Sequence, residues 1–411
     1  MYRLNHVARV AALGALAVLA SCDRKDTVLG PVTAPGGDIF ASYVALGNSI
    51  TAGYQSGGIN DSTQRQSYAR LLANQMGTQY HYASLQGRGC TPPIANTQTG
   101  ALVGVGSTGQ TCDLRAGVSV TDILNNVAVP GARVLDPIST STVASNALTM
   151  FILGGKSQVS KALDARPTFA TIWIGNNDVL QAGLSGILVA GTPYSPGIVS
   201  TQAQFQASYD AMTRQLTDSA PGLKGVLIGV LQVAGVPSLS SAGLIASSAT
   251  IQAGISAAAG KPVTIHPNCT GSTALVNVVQ LILAIRANTH PPIIACEKAT
   301  PGLPAPVGDL FVLDAAEQVT LAATISSYDT YIATKATSIG FAYYDPNILL
   351  AAKKASGEIP PFPNLASATL TFGTLFSLDG VHPSGAAHQL LANELIGVIN
   401  NKYGTRLALV P

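Results

Sequence analysis

A serine in a turn of small residues and a histidine just behind an aspartate are the residues of this sequence best placed to do chemistry. Ser49 lies in the segment GNSITAGY, directly after a short apolar run, and His382 follows Asp379 by three residues in DGVHP. A serine hydroxyl is a weak nucleophile until a base takes its proton, and an imidazole held by a carboxylate is such a base. The pattern therefore indicates Ser49 as a nucleophile, His382 as its base and Asp379 as the group that orients the base.

The other histidines are weaker candidates for the base. One lies in the N-terminal segment, three lie in loop-like segments without acidic neighbours, and one falls within the last predicted helix, where we expect it to pack or to face solvent. The histidines set aside in this way are His6, His81, His266, His290 and His388.

Two further turns could supply hydrogen-bond donors to a negatively charged oxygen. The segment GNND at 175–178 directly follows an apolar run, and an asparagine there can aim its side-chain amide at an oxyanion. Gly131, in the segment PGA, can present its backbone N–H close to a substrate. Each of these segments taken alone is equally typical of an ordinary turn, because Gly, Pro, Asn and Asp are common turn residues.

The elements that must position these residues alternate between apolar β-prone runs and helical patterns. Strands that alternate with helices predict a parallel sheet with helices on both faces, and sites in such sheets lie at the carboxyl edge of the strands. We predict strands at 42–46, 126–129, 168–174, 225–233 and 341–344. We predict helices at 67–76, 202–216, 315–337 and 386–399, the third of them capped by Asp314 with Glu317 in a capping box.

Taken together and in this order, GNSITAGY, PGA, GNND and DGVHP resemble the motifs of the SGNH (GDSL) hydrolase family, over residues 45 to about 397. The resemblance implies an α/β fold, a flavodoxin-like three-layer α/β/α sandwich with a central parallel sheet. It implies that Ser49 is the nucleophile, His382 the base and Asp379 its orienting group. It further implies an oxyanion hole made by the N–H groups of Ser49 and Gly131 and by the side chain of Asn177.

Three neighbouring positions complete the resemblance. Asn48 stands where the family usually has an aspartate before the nucleophile, and we interpret this position as supporting rather than reacting. Asn176 fills the variable position of the GNND block, and we expect Asp178 to be a structural hydrogen-bond acceptor rather than an acid in the reaction.

The activity implied by the resemblance is that of a serine esterase or lipase, which hydrolyses carboxylic esters through an acyl-enzyme intermediate. Two alternatives stay open: an acyltransferase of the same family acting on glycans or lipids, and a non-catalytic glycan- or lipid-binding surface lipoprotein. The expected partner is a small-molecule, lipid or acylated-glycan ester. No cofactor and no metal are expected, and the protein is expected to be a monomer.

Composition narrows the possible partners. The chain has 411 residues, of which 47% are hydrophobic and 10% charged, which is ample for a large core and argues against disorder. Its 22 Lys and Arg nearly balance 20 Asp and Glu, and no basic run follows the first 25 residues. Nucleic-acid binding is therefore not expected, since it requires clustered positive charge.

The N-terminal segment has the pattern of a lipoprotein signal peptide at 1–21. Arg3 and Arg9 precede or border an apolar run at 10–20 that is too short to span a bilayer, and the run ends in LASC at Cys22. We expect Cys22 to be lipidated and the protein to be exported and anchored to a bacterial membrane, periplasmic or at the cell surface, through this lipid only. The alternative is an ordinary secretory signal with Cys22 incidental.

Beyond the signal we predict a tether at 22–38 and a hydrolase domain at 39–411, with an insertion at 238–306 after the fourth strand. We expect the insertion to form a cap beside the active site, with the apolar helical pattern at 274–285 lining an acyl pocket. The alternative is that this helix only packs against the flank of the sheet.

The remaining four cysteines form two sequence-local pairs. An exported compartment is oxidising, so we predict the disulfides Cys90–Cys112 and Cys269–Cys296. A metal site is the weaker interpretation, because the sequence contains no C-x-x-C spacing.

Overall fold

The structure, a computed structural model, describes residues 37–104, 122–140, 143, 148–190, 198–297 and 310–411. Cys22, Cys112, the signal segment and nearly all of the tether lie outside these ranges. The strands are β1 (Tyr43–Gly47), β2 (Ile94–Asn96), β3 (Ala101–Leu102), β4 (Phe169–Trp173), β5 (Val189–Ala190), β6 (Ile198–Val199), β7 (Lys224–Ile228), β8 (Leu239–Ser241), β9 (Thr264–Ile265), β10 (Leu275–Asn277), β11 (Ile293–Ile294), β12 (Val312–Leu313) and β13 (Ala342–Tyr344). The helices are α1 (Ser49–Ala52), α2 (Asp61–Arg65), α3 (Tyr68–Met76), α4 (Leu148–Leu153), α5 (Gln158–Asp164), α6 (Leu180–Ser185), α7 (Gln202–Ser219), α8 (Ala242–Ser247), α9 (Ala249–Ala259), α10 (Val278–Arg286), α11 (Ala315–Ser338), α12 (Pro346–Ala355) and α13 (Gly385–Tyr403).

The central sheet is parallel, in the order β1-β4-β7-β13. The predicted strand at 126–129 runs beside β1 as an extended edge segment: Ala45 N–H donates to Asn125 O over 2.8 Å, and Val127 N–H donates to Ala45 O over 2.9 Å. It makes isolated parallel bridges from Asn126 to Ala45 and to Tyr82, and it ends at Pro130, which has no N–H to extend the pairing. Counted with this segment, the order in space is the 2-1-3-4-5 order of flavodoxin-like folds.

Two apolar layers cover the sheet, so the predicted three-layer α/β/α sandwich is confirmed. Every residue of β1 and β4 is buried, and side chains that alternate along these strands face opposite layers. Val44 and Ile172 pack in the cluster formed with α5, α7 and α11, while Tyr43 and Trp173 pack in the cluster formed with α3 and α13.

The helix ends follow the predicted sequence signals. Asp314 and Glu317 form the predicted capping box at the start of α11, with bonds of 2.8 and 3.0 Å, and Gly77 ends α3 in the left-handed conformation. The strand predicted at 225–233 ends earlier, at Ile228. The N–H groups of Val230 and Leu231 bond to the side chains of Asp329 and Asn176 instead of a neighbouring strand, which takes the chain out of the sheet.

The insertion has a sheet and a core of its own. Its strands pair antiparallel in the order β12-β10-β8, so it continues to Leu313, beyond the predicted boundary at 306. The helix predicted at 274–285 begins only at Val278, because residues 275–277 form β10 and the Asn277 side chain caps α10. Within the ranges given above, none of the helices is both long and apolar enough to cross a membrane.

The disulfide Cys269–Cys296 is present in the core of the insertion, with the two Cα atoms 4.9 Å apart. Cys90 is also disulfide-bonded. Its predicted partner Cys112 lies outside the described residues, so that pairing stays a prediction.

Candidate active site

Ser49 lies on a sharp turn at the carboxyl end of β1. Gly47 makes the turn possible with φ +156°, since a Cβ at this position would lie 2.5 Å from the carbonyl oxygen of Trp173. Asn48 then caps α1 by accepting a hydrogen bond from Ile50 N–H over 3.1 Å. Ser49, the first residue of α1, is 7% exposed, and its hydroxyl faces a small cavity at the edge of the sheet.

The structure brings Asp379 and His382 to this serine, although His382 lies 333 residues away in the sequence. His382 Nε2 lies 2.9 Å from Ser49 Oγ, and His382 Nδ1 lies 2.8 Å from Asp379 Oδ2. Both distances are within hydrogen-bonding range. The side chains of His382 and Asp379 are 14% and 15% exposed, so water reaches them only partly. A proton can pass from the hydroxyl to the ring while the carboxylate holds the ring in place.

The Asp379 carboxylate accepts four hydrogen bonds besides the one from the His382 ring. Its donors are the N–H groups of Gly57 (2.7 Å), Val381 (2.9 Å) and His382 (2.9 Å), and the hydroxyl of Ser377 (3.1 Å). Burial by itself would raise the pKa of Asp379, but the charge of His382 and these donors hold that pKa well below its ordinary value. The carboxylate therefore stays ionised and acts only as an acceptor.

A brace between two distant loops supports this carboxylate. Ser56 N–H donates to Ser377 Oγ over 2.8 Å, and Leu378 N–H donates to Ser56 Oγ over 3.1 Å. The ring of Tyr54 lies 4.8 Å from the His382 ring, centroid to centroid. None of the sequence motifs predicted a role for Ser56 or Ser377. Their only sequence signal was proximity, since Tyr54 ends the GNSITAGY segment and Ser377 lies two residues before Asp379.

Two of the three predicted oxyanion-hole donors lie at the cavity that contains Ser49. Ser49 N–H is at the first position of α1, where a helix offers it no internal acceptor. Asn177 lines the cavity beside Ser49, and its Nδ2 donates one hydrogen to Ala132 O over 2.8 Å, which leaves the second hydrogen available. Gly131 has φ +81° and is exposed, and its N–H has no acceptor among the described residues, but Gly131 does not line this cavity.

Asp178 holds the two turns of this side together. One carboxylate oxygen accepts from Ser200 Oγ over 2.6 Å, and the other accepts from Val134 N–H over 2.9 Å, close to the Gly131 turn. Burial raises the pKa of Asp178 to about 6, although both hydrogen bonds oppose the shift. Its position matches the structural role expected from the sequence.

Two asparagines beside the nucleophile each use half of their side-chain amide. The Oδ1 of Asn48 accepts from Ile50, and the Oδ1 of Asn176 accepts from Leu231 N–H over 3.0 Å. In the part of the chain that the structure describes, the buried Nδ2 atoms of both asparagines have no hydrogen-bond partner. Asn48 and Asn176 thus keep spare donors buried at the wall of the cavity that contains Ser49.

His388 packs in the core. It is fully buried, its Nδ1 accepts from Tyr68 N–H over 3.2 Å, and burial, together with the nearby His382, lowers its pKa to about 3. Its ring is therefore neutral at ordinary pH and serves packing, one of the two roles expected for it.

The insertion borders the site through three polar side chains and one aromatic side chain. An open cleft of about 360 Å³ is lined by His382 and Asp379 on one side and by Ser238, Asn277, Gln280 and Phe311 of the insertion on the other. The apolar side chains Leu281, Ile282 and Ile285 of α10 face the insertion's own core instead. Among the described residues, the stretch 274–285 contributes Asn277 and Gln280 to this cleft, while its apolar Val279 and Leu283 line a separate cavity of about 420 Å³, so an acyl pocket formed by this helix stays a prediction.

A sequence model of the GDSL-like Lipase/Acylhydrolase family matches residues 43–395. Among solved structures, a protein described as a GDSL-like lipase from Parabacteroides merdae is 11% identical, with a TM-score of 0.36, over 87% of this chain and 94% of that chain. An extracellular lipase from Streptomyces rimosus is 14% identical, with a TM-score of 0.35, over 88% of this chain and 99% of that chain. No curated protein sequence matches the chain. The two structural likenesses are weak, but the family model spans most of the sequence, and the chain therefore belongs to the GDSL-like lipase/acylhydrolase family.

Proposed function

We propose that the protein is a serine esterase that hydrolyses carboxylic esters through a Ser49–His382–Asp379 triad and an acyl-enzyme intermediate. The observation that carries the proposal is the unbroken hydrogen-bonded chain from Ser49 Oγ through the His382 ring to the Asp379 carboxylate. A binding module would have no use for a serine held against an oriented imidazole, which argues against the non-catalytic alternative.

In the first half of the reaction, Ser49 Oγ attacks the ester carbonyl carbon while His382 Nε2 takes the hydroxyl proton. The carbonyl oxygen becomes an oxyanion, which the N–H of Ser49 and the side chain of Asn177 stabilise. His382 then gives its proton to the departing alkoxide as the C–O bond breaks. The products of this half are a free alcohol and an acyl group esterified to Ser49.

In the second half, a water molecule replaces the alcohol. His382 removes a proton from the water as its oxygen attacks the acyl carbon, and the same donors stabilise the second oxyanion. Collapse of this intermediate breaks the bond to Ser49 Oγ, which regains a proton from His382. A carboxylic acid is released and the enzyme returns to its starting state.

An acyltransferase would differ only in the second acceptor. The open cleft beside His382 has room for an alcohol as well as for water, with a volume of about 360 Å³. Product analysis separates the two activities: a hydrolase releases one free acid for each alcohol, whereas a transferase given a glycan or glycerol acceptor forms a new ester.

The decisive test is covalent labelling of the proposed nucleophile. Incubation with a fluorophosphonate should modify wild-type protein at Ser49, identified by peptide mass spectrometry, and hydrolysis of p-nitrophenyl acetate should stop as labelling proceeds. Ser49→Ala should show neither labelling nor turnover. Ser62→Ala, which removes an exposed serine hydroxyl, is the matched control and should behave as wild type. Equal labelling of wild type and Ser49→Ala would contradict the assignment.

The location of the protein is proposed from the N-terminal sequence, which lies outside the described residues. A lipid on Cys22 would anchor an exported protein to a bacterial membrane through the lipid alone. Replacing Cys22 by serine should then move the protein from the membrane fraction to the soluble exported fraction. Unchanged membrane association of Cys22→Ser would refute the lipid anchor.

A further inference from the structure

Three cavities lie side by side around the proposed nucleophile. A central cavity of about 30 Å³ is lined by Ser49, Asn177, His382, Leu180, Leu231 and Val381, among others. On one side, Leu180, Val381 and His382 are shared with the open cleft. On the other side, Leu231 is shared with an apolar cavity of about 60 Å³, and Val381 lines all three cavities. The order is therefore open cleft, central cavity and apolar cavity.

The chemistry of the reaction assigns the two flanking cavities. His382 must protonate the departing alkoxide, so the alcohol lies on the side where the His382 ring faces open space, which is the open cleft. The carbonyl group then occupies the central cavity beside Ser49, and the rest of the acyl group points away from the cleft. This direction leads to Leu231 and Val381.

The sizes of the cavities indicate how much of the acyl group each of them can surround. A cavity of about 30 Å³ accepts roughly two groups the size of a water molecule, which matches the oxygen and methyl group of an acetyl unit. The apolar cavity behind it has room for roughly four more such groups. It is lined by the side chains of Trp173, Leu349, Leu375, Leu390 and Leu391, with Lys353 also at its wall.

Hydrogen bonds fix the backbone of both wall residues. Leu231 N–H donates to Asn176 Oδ1 over 3.0 Å, and the next residue, Gln232, donates to Asn347 Oδ1 over 2.7 Å. Val381 N–H donates to Asp379 Oδ1 over 2.9 Å. The wall is thus held by the same contacts that build the site, and it does not open without moving them.

We infer that Leu231 and Val381 form a wall that restricts the acyl group to short chains, and that this wall separates the acyl site from the apolar cavity behind it. The inference rests on the proposed esterase function and names its substrate class: esters of short-chain acids, with acetyl fitting best. Shortening Leu231 should join the two cavities and admit longer acyl chains.

The test is an acyl-length series in which the alcohol stays constant. With p-nitrophenyl acetate, butyrate, hexanoate and octanoate, wild-type kcat/KM should fall by about tenfold or more from acetate to octanoate, because Leu231 and Val381 block a longer chain from the apolar cavity. Leu231→Ala should raise the octanoate-to-acetate ratio of kcat/KM by about tenfold or more. Leu231→Val should shift the ratio in the same direction by less, which protects the test if the alanine variant folds poorly.

Leu390→Ala is the matched control. It shortens a leucine by the same amount, but the leucine lines the apolar cavity and is not part of the wall. The octanoate-to-acetate ratio of kcat/KM should therefore stay at the wild-type value. A wild type that hydrolyses octanoate as well as acetate, or a folded Leu231→Ala with an unchanged ratio, would overturn the inference while leaving the esterase intact. If Ser49 instead reacted with none of the esters and not with the fluorophosphonate, the proposed function itself would be contradicted.

Discussion

The two halves of the candidate site are built in opposite ways. On the base side, the carboxylate of Asp379 accepts five hydrogen bonds, from two different loops, and the His382 ring is held between Asp379 and Ser49. On the oxyanion side, donors are left free: the N–H of Gly131 has no acceptor in the described part of the chain, and Asn177 has used one of its two amide hydrogens.

The difference follows from what each half must do. A base has to keep one orientation and one tautomer through the whole reaction, which favours many fixed contacts. An oxyanion exists only briefly, so its donors stabilise the charge best when they are positioned in advance but bonded to nothing else. The groups of the base side therefore make many hydrogen bonds, whereas the oxyanion side keeps donors that are not yet hydrogen-bonded.

The carboxyl groups of the two halves also differ electrostatically. The pKa of Asp379 is held below its ordinary value by His382 and by backbone donors, against the effect of burial. The pKa of Asp178 is raised to about 6 because burial outweighs its two hydrogen bonds. At Asp379 the charge of His382 and the hydrogen bonds outweigh burial, whereas at Asp178 burial outweighs both the hydrogen bonds and the nearby Arg133.

The largest effect should come from removing the base. His382→Ala should lower kcat by about 10⁴-fold or more, because Ser49 then has no group to take its proton and Asp379 no ring to orient. His81→Ala, which removes an exposed imidazole, should retain wild-type kcat. Steady-state kinetics on p-nitrophenyl acetate would check both. If substantial turnover remained in His382→Ala, the base side would not be the centre of the chemistry.

The oxyanion side should show the next largest effect. Asn177→Ala should lower kcat by about 10²–10³-fold, because one donor to the oxyanion is lost. The change in KM should be small, since the donor is used mainly in the transition state. Asn401→Ala, an exposed asparagine at the end of α13, is the matched control. A loss of thermal stability without a loss of kcat would assign Asn177 to structure alone, through its bond to Ala132.

Removing the Ser377 hydroxyl tests whether the base side needs all the hydrogen bonds that hold Asp379. Ser377→Ala removes a donor to the carboxylate and the acceptor of Ser56 N–H. We expect kcat to fall about tenfold with KM unchanged, since a hydrogen bond to a charged group contributes roughly 1.5–3 kcal/mol. The comparison is Ser384→Ala, which removes the cap of α13 just after His382 but no contact to Asp379. It should reduce thermal stability and spare kcat, and equal kinetics for the two variants would rule out a positioning role for Ser377.

The smallest effect is on stability, and it concerns the raised pKa of Asp178. A carboxyl whose pKa is higher in the folded than in the unfolded chain binds more protons when folded, so the free energy of unfolding falls as pH rises from about 4 through about 6. The shift corresponds to a loss on the order of 3 kcal/mol. Asp178→Asn should be less stable at low pH because it loses a hydrogen bond, but it should lack this part of the pH dependence. Urea unfolding of both proteins from pH 4 to 7 measures the difference, and parallel pH profiles would contradict it.

The sequence by itself determined the local parts of this protein. Ser49 and the Asp379–His382 pair could be identified because a tight turn needs small residues, and because three residues of separation bring a carboxylate and an imidazole within reach of each other. The capping box of Asp314 and Glu317 and the glycine that ends α3 were equally visible, since both signals act within one helical turn. The fold class followed from alternating patterns, because strands buried on both faces read as continuous apolar runs.

The tertiary structure alone decided what lies between distant segments. Ser56 and Ser377 meet across 321 residues, and the wall of Leu231 and Val381 forms from the loop after β7 and the turn of His382. The packing of an element determined which way its side chains face. The buried apolar side chains of α10 lie in the core of the insertion, and Gln280 of the same helix lines the cleft. A hydrophobic pattern shows that a face must be buried, but only the folded chain determines which partner buries it.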